Sequence, residues 1–132
     1  MSRNGSRPVA LLVTHGTLGE EMIRTVAEIL GPPTDVETVS NRGLSADGLA
    51  DAIESRLAAL PEGVPVVLFT DLAAGSCGIA SRRVGRGSRD LRKITGVNLP
   101  MLLEFFHYRD TLSLDELLPR MEAKGKAGIV LL

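Results

Sequence analysis

The chain predicts a small doubly wound α/β fold, a mainly parallel sheet with helices on both faces, and three observations lead there. Residues 9–13 and 64–69 are unbroken apolar runs without polar alternation, the pattern of strands covered on both faces. The stretches after each run carry apolar residues at helical spacing, so the elements alternate as β-α-β-α-β-α-β-α-α-β. Right-handed crossovers turn that alternation into one sheet. With 132 residues there is material for one core and one domain, assigned to 8–132 behind a disordered leader at 1–7. The predicted strand order is 2-1-3-4, in which the winding reverses between strands one and three.

Strand one is followed by a tight turn at 16–19 and by a helix on which Met22, Ile23, Val26, Ala27, Ile29 and Leu30 recur at helical spacing. Gly31-Pro32-Pro33 ends that helix, because glycine accepts the cap conformation and proline cannot continue it. Strand two, 36–39, mixes polar with apolar positions as an edge strand does. Ser45 caps a helix whose Leu49, Ile53, Leu57 and Leu60 form one stripe, closed by Pro61 and Gly63. Strand three leads into a small-residue loop at 72–78 and a helical piece from Ile79. Strand four is predicted at 94–97. Pro100 suits the first turn of a helix bearing Met101, Leu102, Leu103, Phe105 and Phe106, and Ser113 caps one more with Leu114, Leu117, Leu118 and Met121. Lys124-Gly125-Lys126 reads as the break before a last strand at 129–132.

In this order the carboxyl ends of strands one and three lie side by side, at the edge where open α/β sheets bind ligands. His15 and Asp71 stand at those ends. An imidazole is nucleophilic near neutrality and its phosphoramidate passes a phosphoryl group on readily; a neighbouring carboxylate fixes the tautomer and stabilises the charge that develops on the ring. Gly75 and Ser76 offer close backbone amides and a hydroxyl, and Gly16 opens onto a helix start. Together they can meet a phosphoryl group with prearranged dipoles, without a metal. Each residue also has a plainer reading, the histidine as structural and Asp71 and Ser76 as ordinary caps. Their convergence on one crevice favours a joint site.

Composition removes several other functions. Three Phe, one Tyr and no Trp leave no stacking platform for single-stranded nucleic acid. Fifteen basic against sixteen acidic residues, net charge −1, give no overall field toward nucleic acid or an anionic membrane. No apolar stretch approaches the ~20 residues of a membrane span, the first apolar run is too short for a signal peptide, and the single Cys77 cannot form an internal disulfide. A cytoplasmic protein is the reading.

Three stretches together resemble the IIA domain of the mannose/fructose (mannose-family) sugar phosphotransferase system: Val-Thr-His-Gly at 13–16, Thr-Asp with the Gly-Ser loop at 70–76, and Gly96-Val97-Asn98-Leu99-Pro100-Met101-Leu102 with Glu104 after it. The last is the most specific. The resemblance implies that His15 takes a phosphoryl group from the phosphocarrier HPr and hands it to a IIB domain, with Asp71 as the paired aspartate and Ser76 as the serine of the phosphate loop. It implies no cofactor and no resident metal, association with a membrane sugar permease rather than insertion in the membrane, and a homodimer that exchanges the C-terminal strand. A regulatory protein switched by the same phosphorylation is the alternative.

Where the family commonly has Gly-Gly-Ser-Pro this chain has Ala74-Gly75-Ser76-Cys77, which alters loop stiffness. Cys77 reads as small filler. Arg82, Arg83, Arg86, Arg89, Arg92 and Lys93 read either as a surface for an acidic partner or as a solvated face, and His107 as a structural residue. A rival reading comes from small tetrapyrrole metal chelatases, which also end a first strand in His-Gly. A metal there would want a second strong ligand beside His15. Gly16-Thr17-Leu18-Gly19 lacks the spacing of a dinucleotide-binding loop.

Overall fold

In the computed structural model, which describes residues 7–132, β1 (Val9–Thr14) and β3 (Val66–Thr70) are buried at every position and pair in parallel, Val9 opposite Val66 and Val13 opposite Thr70. β2 (Val36–Ser40) lies on the other side of β1, and β4 (Leu91–Ile94) outside β3, giving the order β2-β1-β3-β4, all parallel. The predicted fold class and strand order are therefore those observed. The leader predicted at 1–7 lies outside the described residues except for Arg7, whose guanidinium holds Asp110 at 2.6 and 2.9 Å and Thr34 at 2.9 Å.

Alternation along β1 and β3 divides the core in two. Val9, Leu11, Val13, Val66 and Leu68 face α2 (Ala46–Ala59) and α3 (Gly75–Arg83), meeting Leu49, Ile53, Leu57, Cys77 and Ala80. Ala10, Leu12, Val67 and Phe69 face α1 (Leu18–Leu30), α4 (Leu99–Tyr108) and α5 (Leu114–Ala127), meeting Val26, Leu102, Phe105, Leu117 and Met121. Phe69 and Phe105 meet edge to face, 5.4 Å between centroids. The predicted caps form: Ser45 Oγ accepts from Gly48, and Ser113 makes a capping box with Glu116. Asn98 caps α4, with Pro100 in its first turn.

Three expectations are corrected. β4 begins three residues before the predicted 94–97 and ends at Ile94, because Gly96 turns at φ +72° and Asn98 is spent as the α4 cap. Lys124-Gly125-Lys126 does not break the last helix. Gly125 is buried within α5, where a Cβ would come within 3.1 Å of Met101 and 3.4 Å of Asn98 Oδ1; Asn98 also donates to its carbonyl. Glycine here permits the close approach of α5 to α4. Finally, the helical piece predicted from Ile79 begins at Gly75, within the predicted loop 72–78. Ile129, Val130, Leu131 and Leu132, predicted as a strand exchanged between copies, are exposed and off their own sheet, where β4 is the outer strand.

The basic stretch is not one free patch. Arg82 donates to the Ala73 carbonyl, Arg83 pairs with Asp47, Arg89 reaches the carbonyls of Leu57, Leu60, Pro61 and Val64 at the end of α2, Arg92 joins Asp90 to Asp115, and Lys93 donates to Val84. These side chains cross-tie the fold. Five of the six are thus tied to the fold, while Arg82, Arg83, Arg86 and Lys93 remain exposed. His107 sits against Tyr108, ring centroids 4.5 Å apart, away from the candidate site.

Candidate functional site

His15 is the first residue after β1 and Asp71 the first after β3. Because Val13 lies opposite Thr70, the two strand ends deliver both side chains to one place. Asp71 Oδ2 accepts from the His15 backbone N–H and lies 2.9 Å from His15 Nδ1, and Oδ1 accepts from the Leu72 amide. The carboxylate is thereby anchored twice to backbone before it meets the ring. Burial alone would raise the Asp71 carboxyl, but the hydrogen bonds from the His15 backbone and ring, with the ring's charge, outweigh it and hold the group below its ordinary value. An ionised Asp71 can only accept, so Nδ1 bears a proton directed at it, and in the neutral ring Nε2 presents a lone pair. The carboxylate is covered, 9% exposed, while the imidazole is 41% exposed. The carboxylate is shielded and the imidazole is open.

Nε2 faces the start of α3. Gly75, the first residue of that helix, has φ +77°, and a Cβ there would stand 3.6 Å from Nε2. Glycine thus keeps clear the space a group on Nε2 would occupy. The N-cap residue Ala74 has no side chain to satisfy the first helical amides, which leaves them and the positive end of α3 for an anion. Gly78 holds α3 against the loop before it: a Cβ would come within 2.3 Å of the Ala73 carbonyl oxygen.

Of the residues predicted for the site, His15, Asp71 and Gly75 thus converge. Ser76 stands on the same turn of α3, its Oγ 3.5 Å from Asn41 Nδ2. Gly16, at φ +55°, gives its amide to Asn41 Oδ1 at 3.1 Å, so that N–H is already engaged.

Over residues 10–122 the chain matches the family model EIIA-man, described as the PTS system fructose IIA component. The chain belongs to the EIIA-man family. It is 30% identical over 124 residues to the PTS system mannose-specific EIIAB component of Escherichia coli K12, covering 92% of this chain and 38% of that protein. The chain thus spans well under half the length of that curated relative. Among solved structures, the phosphotransferase component EIIA from Streptococcus agalactiae superposes with TM-score 0.82 at 20% identity, over 93% of this chain and 95% of that one. The mannose/sorbose specific IIA subunit from Enterococcus faecalis gives TM-score 0.73 at 26% identity, over 96% and 95%. EIIA-man proteins are components of sugar phosphotransferase systems. Among the described residues of this one, no helix is long and apolar enough to cross a membrane.

Sequence reasoning missed two residues of this candidate site. Asn41 follows β2, and its amide links the His15 turn to the start of α3, with its own N–H on the Thr14 carbonyl. The order 2-1-3-4 held the signal, since it places the end of strand two beside His15. Cys77, read as filler, brings Sγ to 3.7 Å from His15 Nδ1. Burial, with the negative charge of Asp71, pushes its thiol up to about 11. Glu104, part of the most specific stretch, is not at the site; it is buried against Arg120, joining α4 to α5 at 2.8 Å.

Proposed function

We propose that this EIIA-man protein is a phosphoryl carrier: His15 Nε2 takes a phosphoryl group from an HPr-type donor, holds it as phosphohistidine and passes it to a IIB domain. The observation that carries the reading is the doubly anchored Asp71 on Nδ1, which leaves Nε2 nucleophilic and aimed at the open start of α3. As the Nε2–P bond forms, positive charge grows on the ring beside the Asp71 carboxylate. The phosphoryl oxygens meet the first amides of α3 and the Ser76 hydroxyl. No cofactor and no resident metal enter this scheme. The reaction takes place in the cytoplasm, the IIB domain linking it to a membrane sugar permease.

Incubation with enzyme I, HPr and phosphoenolpyruvate should give one acid-labile, alkali-stable adduct per chain, absent from His15→Ala. An undiminished adduct in that variant overturns the reading, as does none on the native chain. Label should then move rapidly to a cognate IIB protein; phosphorylated chain that passes it to none would favour the regulatory role.

The active species is proposed to be a homodimer in which residues 129–132 of each copy pair with the β4 edge of the other. The support is an exposed apolar Ile-Val-Leu-Leu segment beside an unpaired parallel edge, with Ile129 lining a groove of about 650 Å³ against Lys93, Thr95 and Met101. Sedimentation at tens of micromolar should show a dimer that deletion of 129–132 converts to monomer. A monomeric full-length chain would remove the exchange.

A further inference from the structure

The site contains one donor that phosphoryl transfer does not use, Cys77 Sγ, and it stands beside two that it does, His15 and Asp71. We propose that His15 Nδ1, Cys77 Sγ and Asp71 Oδ2 form a binding site for a thiophilic divalent cation such as zinc, and that its occupation stops phosphoryl acceptance; the second half rests on the phosphoryl-carrier reading. The three groups lie within 4.8 Å of one another, with Nδ1 3.7 Å from Sγ and 2.9 Å from Oδ2. A tetrahedral zinc with Zn–N and Zn–O near 2.0 Å and Zn–S near 2.3 Å requires its ligand atoms about 3.3–3.6 Å apart. Opening the Nδ1–Oδ2 pair by a few tenths of an ångström and turning Sγ toward Oδ2, from which it stands no more than 4.8 Å away, meets that requirement. Asp71 is already fixed by the His15 and Leu72 amides, and Cys77 by its place in α3. Two of the three donors are therefore preorganised. A thiolate and a carboxylate balance a 2+ charge in a partly covered place, and the mixed N, S, O set selects zinc-like ions over magnesium or calcium, which want oxygen alone.

The inhibition follows from where the protons go. In the metal-free site Nδ1 carries the ring proton and Nε2 the lone pair. A metal on Nδ1 needs that lone pair for itself, so the ring proton moves to Nε2, while the Cys77 thiol gives its proton to solvent. Nε2–H has no lone pair with which to attack phosphorus. The metal therefore blocks acceptance without occupying the space of the phosphoryl group.

Full-length chain stripped with a chelator is titrated with Zn²⁺ by calorimetry and with Co²⁺ by absorption. One ion should bind per chain, and Co²⁺ should show a thiolate charge-transfer band. Cys77→Ala should lose the band and bind zinc more weakly by on the order of a hundredfold, since loss of outer-shell support alone costs 10–100-fold. Cys77→Ser guards against a packing artefact. Transfer from purified phospho-HPr, with enzyme I removed, is then followed with and without zinc, each variant against its own metal-free rate. Native chain should slow at least tenfold and recover with chelator, while Cys77→Ala should not respond. A cobalt complex without the band, or wild-type zinc affinity in Cys77→Ala, overturns the site. Undiminished transfer by zinc-loaded native chain overturns the switch. A chain that takes no phosphate in chelator removes the carrier reading and the switch with it, while the cobalt band still decides the site.

Discussion

The two inner strands of this sheet and the apolar tail at its outer flank are built from similar residues and do different work. β1 and β3 are buried throughout, fixed in register on both sides, and end in His15 and Asp71. β4 is half exposed, pairs on one side only, and is followed by a turn that carries no reactive group. Residues 129–132, apolar as they are, stay in solvent. Apolar character therefore marks a site-bearing strand only where both faces and both edges are covered. Only then is the strand end held to the fraction of an ångström that a hydrogen-bonded pair requires.

That contrast can be broken from its strongest point downward. Phe69→Ala, which empties a fully buried position against Phe105, should cost about 3–5 kcal/mol of unfolding free energy in denaturant titrations. A loss under about 1 kcal/mol would mean that the inner strands are not the rigid part. Asp71→Asn should slow phosphoryl transfer roughly tenfold to a thousandfold with the fold retained. Unchanged transfer kinetics would dissolve the His15–Asp71 pair. Because the Asp71 carboxyl is held below its ordinary value, its stabilisation is present above about pH 4 and lost as pH falls through the folded value. Melting curves of native and Asp71→Asn protein, separate at neutral pH, should draw together in acid.

Gly78→Ala comes next, since the added methyl must displace the Ala73 carbonyl. About 1–3 kcal/mol of destabilisation is expected, with slower transfer as the start of α3 shifts from Nε2. Full stability with normal transfer would show that this loop tolerates movement. At the flank, deletion of residues 129–132 should change the stability of the isolated monomer by no more than about 0.5 kcal/mol, its side chains being in solvent. A larger loss in monomeric protein would show that the segment packs on its own chain.

What could be read from residues alone follows the same divide. Runs 9–13 and 64–69 were legible because burial on both faces leaves no room for polar residues, and His15 and Asp71 were legible because each stands just past the threonine that ends its run. β4 was misplaced because Arg92 and Lys93 turn to Asp90, Asp115 and Val84, so its sequence resembles a loop while the apolar 94–97 resembles a strand. Gly125 misled for a related reason: a glycine that breaks a helix and one that lets two helices touch differ only in what lies opposite. Asn41 and Cys77 carry no pattern of their own. Their importance comes from neighbours distant in sequence, Gly16 and Ser76 for one and His15 for the other.

The sheet order also has a consequence for synthesis. Of the four strands of this sheet β1 is made before the others, yet one of its two partners is β3, whose last residue is Thr70. No hairpin joins neighbouring strands; every pairing waits for a helical crossover, so loops must close over long stretches before any ladder forms. At elongation rates of about 5–20 residues per second, the apolar edge of β1 stays open for seconds after His15 emerges from the ribosome. During that time His15 has no carboxylate beside it and Gly75 does not yet exist. A nascent chain stalled before residue 70 should accordingly bind chaperones through β1 and take no phosphate, whereas release past α3 completes the inner strands and the His15–Asp71 pair in one step.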